Sequence, residues 1–234
     1  SLKLNAREIT LKAIEENFDI IIAAGGDGTM NQVAQCLIHT DIIMGILPMG
    51  SGNGLARHLH IPLSASKAIA FINKLKYQRI DTIKVNDQYS VNCIGMGFDA
   101  FVAYHFSKLP KRGLKTYFLT TMKQFGNYHR QFYSMDIDGE KFNGKAAIVT
   151  FANSSQWGNN FYIAPHASIT DGKIDITIIN HLNYRNLFQL AYRLMFKTID
   201  KSEQVISYRA EKISMELEEK FPMHIDGEPM LVIG

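Results

Sequence analysis

Little in these 234 residues could staple, anchor or export the chain. Two cysteines, Cys36 and Cys93, allow at most one disulfide. The fold must therefore rest on its core, and a chain of this length buries roughly 70% of its unfolded surface. No apolar stretch approaches the roughly 18 residues of a membrane span. The longest, Phe18–Ala24 and Ile42–Met49, have the length of buried strands. No basic segment leads into an apolar one at the start, so no secretory signal is read. Few cysteines and no export signal predict a reducing, cytoplasmic setting. A large charge excess is also missing: 25 Lys and Arg against 22 Asp and Glu leave +3, which gives no case for nucleic acid. The eight histidines show no HExxH-type spacing, so no zinc site is expected. No Gly-x-Ser-x-Gly elbow or Cys/His nucleophile pattern is present. At 46% hydrophobic and 20% charged residues, the composition is globular rather than disordered or collagen-like.

What is present alternates helix and strand over the first eighty residues. Ala6–Glu16 reads as a helix and Asp19–Ala24 as a covered parallel strand. A helix from about Met30 to Ile38 and a strand Ile42–Leu47 closed by Pro48 follow. Ser64 or Ser66 can cap a helix through Leu75. This pattern predicts a doubly wound α/β domain over residues 1–81. From Arg79 the pattern becomes strand and turn. Ile80–Val85, Tyr89–Ile94, Met135–Ile137, Lys145–Phe151, Ile174–Ile179 and Ile213–Leu217 all read as strands, with one helical stretch at Tyr184–Thr198. An antiparallel β-sandwich domain is predicted over 82–234. The chain opens at Ser1 almost directly on a helix. The strand–helix–strand unit that normally begins a doubly wound domain is not seen, so a trimmed chain with an exposed N-terminal edge is expected.

Two glycine loops follow the two N-terminal strands. Gly25-Gly26-Asp27-Gly28-Thr29 lies between a strand and an amphipathic helix. Glycines let the main chain approach a polyphosphate, and a helix N-terminus supplies free amides and partial positive charge. Thr29 can cap the helix or bond a phosphate. Asp27 beside phosphates makes sense if Mg²⁺ lies between them; otherwise it bonds its own turn. Gly50-Ser51-Gly52-Asn53 offers a second cradle at the carboxyl edge of the same sheet. Neither loop is a Walker A or GxGxxG element.

GGDGT at 25–29, LPMGSGNGLARHL at 47–59, GMGFDA at 95–100, DGKIDI at 171–176 and DGEP at 226–229 together resemble the diacylglycerol kinase catalytic-domain superfamily. That superfamily includes bacterial lipid kinases and the sphingosine and ceramide kinases. The resemblance runs along essentially the whole chain and implies an NAD-kinase-like α/β domain followed by a β-sandwich. It also implies ATP and Mg²⁺ as cofactors and a lipid hydroxyl as acceptor. Gly25, Gly26, Asp27, Gly28, Thr29, Gly50, Ser51, Gly52 and Asn53 would bind nucleotide. Glu228 would be the base that takes the proton of the attacking hydroxyl, with Asp27 the second candidate for that role. Asp99 would lie near the lipid head group or the catalytic network; without the resemblance, a helix N-cap is the simpler reading. Asp171, with the carbonyls of Ser168 and Lys173, would hold a structural Mg²⁺; a plain turn is the alternative.

Diacylglycerol is the first expected acceptor, with a sphingoid base or ceramide next. NAD kinase is the rival enzyme, since it shares the GGDG element, and a non-catalytic nucleotide or lipid sensor is the rival class. Between Asp99 and Asp136 no acidic residue occurs, while Lys108, Lys111, Arg112, Lys115, Lys123 and Arg130 stand among many aromatics. Such a stretch suits transient contact with an anionic membrane; a solvated helical face with its aromatics in the core is the plainer reading. Trp157 reads as a packed loop residue, and a homodimer is left open.

Overall fold

The computed structural model describes residues 5–109, 114–125, 128–216 and 221–232. The N-terminal part runs α1 (Ala6–Glu15), β1 (Ile20–Gly25), α2 (Asp27–Leu37), β2 (Ile43–Pro48), α3 (Gly54–His58) and α4 (Ala65–Ile72). Asn5 starts α1 with a full capping box: its side chain accepts from Glu8 N–H while Glu8 reaches back to the Asn5 amide. Strands β1 and β2 pair in parallel from Ile20 opposite Ile43 to Gly25 opposite Pro48. Both glycine loops therefore leave the same end of the sheet. Ala23, Met30, Val33, Leu37, Ile46 and Leu55 form the core beneath them. On β1, Ile20 and Ile22 remain exposed.

The rest comprises β3 (Ile83–Val85), β4 (Gln88–Ser90), β5 (Cys93–Gly97), α5 (Phe98–Ser107), α6 (Leu114–Phe125), β6 (Gln131–Ile137), β7 (Glu140–Ala146), β8 (Ile148–Ala152), β9 (Ile174–Ile179), α7 (Tyr184–Met195), β10 (Val205–Ala210), β11 (Ile213–Glu216), β12 (Phe221–Ile225) and β13 (Glu228–Val232). A six-stranded sheet runs β10-β9-β8-β5-β12-β13, and a three-stranded sheet runs β11-β6-β7. Every pairing within these two sheets is antiparallel. Alternation along β5 divides its side chains between two cores. Ile94 and Met96 join Tyr133, Met135, Phe142 and Val149 between the sheets. Cys93 joins Phe98, Val102, Leu190 and Leu194 on the helical side. The predicted α/β-plus-sandwich class is the one observed.

Several predicted elements are divided. Tyr89–Ile94 is not one strand: β4 ends at Ser90 and β5 begins at Cys93. Lys145–Phe151 also splits, β7 pairing in the small sheet and β8 in the large one. The chain crosses between them at Ala147, whose amide donates to Ile179 and whose carbonyl accepts from Phe98. The predicted helix through Leu75 ends at Ile72; Ser64 is its N-cap residue, as expected, but its hydroxyl pairs with that of Ser66 instead of a helix amide.

Candidate active site

The first loop is tighter than its sequence suggests. Helix α2 starts at Asp27, with Gly26 as the N-cap and no side-chain cap bond. Thr29 therefore sits inside the helix and caps nothing. Its side chain folds onto Gly25, where an added Cβ would lie 2.4 Å from Thr29 Oγ1. The first-turn amides of α2 point outward without intrahelical partners, as at any helix start. The second loop presses on the first: a Cβ on Gly50 would fall 2.4 Å from the Gly26 Cα. Only glycine permits that approach.

Asn53 builds the second loop rather than offering its side chain outward. It adopts a left-handed conformation, φ 53°. Its Oδ1 accepts from Gly50 N–H at 2.9 Å and its Nδ2 donates to the Gly50 carbonyl at 2.7 Å. The Gly52 carbonyl accepts from Arg57 Nε at 3.0 Å and from Asn159 N–H at 3.1 Å. Ser51 stays exposed at the rim. Asp27 joins the loops, its Oδ1 accepting from Gly54 N–H at 2.7 Å. Burial raises the Asp27 pKa and the nearby Asp226 charge adds to it, while the Gly54 hydrogen bond opposes the rise.

Glu228 enters from the other half of the chain. A Cβ on Gly28 would lie 2.3 Å from Glu228 Oε1. The carboxylate thus occupies the space over Gly28 that a side chain there would fill, beside the first turn of α2. Its placement follows from the β12–β13 hairpin, in which Ile225 pairs with Glu228. The two linking residues, Asp226 (φ 49°) and Gly227 (φ 85°), are both left-handed, as a two-residue type I′ turn requires.

Asp226 holds this turn in place, and the motif reading did not single it out. It is 3% exposed. Its carboxylate accepts from Ser90 Oγ, from the Val91, Asn92 and Cys93 amides, and from Asn31 Nδ2 at 2.7 Å. Five donors from α2 and the β4–β5 bend converge on one anion, which satisfies it and fixes the turn relative to the glycine loops. Those same bonds split the predicted strand at Val91–Asn92. The only hint in the sequence was an aspartate beside glycine, which also marks ordinary hairpins.

Asp99 does not cap α5. Gly97 is the N-cap of α5. Asp99 is 5% exposed and stands 3.2 Å from His224 Nε2. The loop of residues 154–160, where the sequence pointed only to Trp157 as a packed residue, docks on the second cradle. Gly158, at φ 118°, packs on the Gly52 backbone, where a Cβ would come within 2.8 Å. Ser155 N–H donates to His58 Nδ1 at 3.0 Å, and burial, then His60, lowers the His58 pKa. Trp157 belongs to this docked segment and lies against the helical-side core.

Asp171 is not brought to the glycine loops. Its carboxylate pairs with the Arg209 guanidinium and accepts from Lys173 N–H at 3.0 Å. Gly172 N–H donates to Asp81 Oδ2 at 2.7 Å, and Ser168 Oγ lies 3.4 Å from Thr170 Oγ1. No cluster of three or more His, Cys, Asp or Glu side chains suited to a metal exists among the described residues. A divalent cation held by Asp171 and the Ser168 and Lys173 carbonyls would compete with the half-exposed Arg209 guanidinium for the carboxylate. A cavity of about 700 Å³ opens elsewhere, between β2 and the chain around Phe71–Ile80. Its walls are mostly hydrocarbon and contain no residue of either cradle.

The family model for the diacylglycerol kinase catalytic domain matches residues 2–85, and that for the YegS C-terminal NAD kinase beta sandwich-like domain matches 92–233. The chain belongs to the diacylglycerol kinase and YegS-like lipid kinase family. It is 29% identical over 232 residues to a diacylglycerol kinase of Bacillus subtilis, covering 96% of this chain and 76% of that protein. It is 30% identical over 227 residues to a "probable lipid kinase YegS-like" of Chromohalobacter salexigens, covering 93% and 72%. A crystal structure of a diacylglycerol kinase from Bacillus anthracis superposes with TM-score 0.73 at 21% identity, over 97% of this chain and 76% of that one. A second chain from the same organism superposes with TM-score 0.81 at 24% identity, over 99% and 78%. At those identities the superpositions speak for the fold alone. In this chain the two glycine loops, Asp27 and Glu228 lie together at one end of the parallel sheet.

Proposed function

We propose that this lipid kinase family member transfers the γ-phosphate of ATP to a lipid hydroxyl, with diacylglycerol as first acceptor and phosphatidic acid as product. The observation that carries the reading is the Glu228 carboxylate over Gly28, at the start of α2. Nucleotide phosphates would rest on the first-turn amides of α2 and on the glycine backbones beside them. Glu228 would accept the hydroxyl proton as the alcohol oxygen attacks the γ-phosphorus and ADP leaves. Asp27 is the weaker candidate for base, because its Oδ1 is already bonded to Gly54 N–H. A magnesium ion carried with the nucleotide would supply charge neutralisation. Asp27 fits it, since a half-buried carboxylate with Asp226 nearby gains from a cation.

A membrane-borne acceptor needs a surface that reaches it. Along α7 and just beyond, Phe188, Tyr192, Met195 and Phe196 are exposed, Phe188 by 82%. Between Asp175 and Asp200 the sequence has no acidic residue, and Lys197 is exposed beside the stripe. An exposed apolar stripe with a basic neighbour suits an anionic interface. By contrast, Phe98, Phe101, Phe125 and Tyr128 pack with one another and the helical-side core, so that part of the aromatic stretch is structural. No helix among the described residues is long and apolar enough to cross a membrane.

The test is a radiolabelled-ATP assay against vesicles holding diacylglycerol, a sphingoid base or ceramide, with NAD as a soluble acceptor. Labelled phosphatidic acid is the expected product. Preferential labelling of NAD would overturn the lipid reading.

A further inference from the structure

The turn that presents Glu228 is held from a second side. His224, 6% exposed, lies three residues before Gly227 in β12 and receives the Gly227 N–H on Nδ1 at 3.3 Å. That geometry leaves the ring proton on Nε2, which faces Asp99 Oδ2 at 3.2 Å. The other Asp99 oxygen accepts from Ala100 N–H at 2.8 Å, within the first turn of α5. The chain of contacts therefore runs from α5 through an imidazole to the amide next to Glu228.

Space for this pair is cleared by one residue. Gly95, opposite His224 in the β5–β12 ladder, lies in the interior of a central strand, where glycine weakens the sheet. A Cβ there would come within 2.1 Å of Asp99 Oδ2 and 2.2 Å of His224 Nε2. Gly95 thus leaves room for a buried polar contact between Asp99 and His224, which lie 125 residues apart. Asp226 already satisfies the turn's other side, so Gly227 is held from both.

We propose that Asp99 and His224 form a positioning relay that sets the Gly227 amide, and with it the Glu228 carboxylate, against the glycine cradle. In this relay both side chains act through the turn. Asp99 fixes the tautomer of His224, and His224 Nδ1 is the acceptor that the turn requires, the logic by which a carboxylate orients a histidine elsewhere. A loosened turn would misplace Glu228 without touching the cradles. This rests on the lipid kinase reading for its kinetic consequence and not for its structural one.

Two substitutions separate the nitrogens. In His224→Asn, Oδ1 replaces Nδ1 toward Gly227 and the reach to Asp99 is lost. In His224→Gln, an amide N–H can still reach Asp99 but the acceptor at the turn is gone. Turnover on diacylglycerol vesicles should fall about 10- to 100-fold in His224→Gln, the scale of an ångström-level misplacement. The KM for ATP should change by less than about threefold, and His224→Asn should recover most of kcat. Thermal unfolding of each variant corrects for stability. Equal loss of kcat in both variants, tracking stability, would overturn the relay, as would unchanged kcat in both. The structural arm needs no substrate: ¹⁵N spectra of the wild-type imidazole should show Nε2 protonated and Nδ1 bare. Exchange protection of the Gly227 amide should survive in His224→Asn and vanish in His224→Gln. A protonated Nδ1, or protection indifferent to either change, would sink the relay even in an active kinase. If wild type labels no lipid while these signatures hold, the reaction assignment fails and the relay's structural claim stands.

Discussion

Two Asp-Gly turns of nearly identical backbone do unlike jobs. Asp138-Gly139 links β6 to β7 with φ of 49° and 91°, and Asp226-Gly227 links β12 to β13 with 49° and 85°. Both aspartates accept backbone amides from another segment: Asp138 from Glu211 and Lys212, Asp226 from Val91, Asn92 and Cys93. Asp138 is exposed, and those amides lower its pKa. Asp226 is buried, with Ser90 and Asn31 added. Local chemistry makes the turn in each case; burial and the reach of the donors decide which one positions a carboxylate over the glycine loops.

Removing the buried carboxylate should break that contrast most sharply. Asp226→Ala leaves five donors without their acceptor, and urea unfolding should show a loss of about 3 kcal/mol or more, on the scale of unsatisfied buried polar groups. A loss no larger than that of Asp138→Ala would make the two turns equivalent. Next in size is Gly50→Ala, whose Cβ meets the Gly26 backbone. Overpacking of this kind costs about 1–3 kcal/mol, and here it should also weaken ATP-analogue binding, checked by calorimetry. Asp171→Asn comes third. Its ion pair with the half-exposed Arg209 should contribute about 0–1 kcal/mol, and turnover should show no deficit that added Mg²⁺ restores. A magnesium-dependent rescue would support the cation site. Asp138→Ala is the smallest. Because its folded pKa is depressed, its contribution is present at neutral pH and is lost as pH falls through the folded value, below the ordinary 3.8. Urea midpoints of wild type and variant should therefore differ slightly at pH 7 and converge in acid.

The same contrast shows what was legible beforehand. The β-branched run Ile20–Ile22 and the glycines after it locate strand, loop and helix, because those signals are local. Thr29 misled as a cap because the helix begins at Asp27, three residues before the expected start at Met30. Tyr89–Ile94 looked continuous because the anion that bends it lies more than 130 residues away. The docking of Gly158 on Gly52 and the meeting of His224 with Asp99 depend on sheet order, which no local pattern encodes. Glu228 was found through an ordered set of motifs; Asp226, two residues before it, carried the same signal as any hairpin.

The most direct measurement is turnover and ATP-analogue affinity of Glu228→Gln side by side. Loss of the base should lower kcat on diacylglycerol about 10²- to 10⁴-fold, while analogue affinity stays within about threefold, because the cradle backbones remain intact. Wild-type turnover in Glu228→Gln would contradict the account, and the proton acceptor would then have to be sought elsewhere.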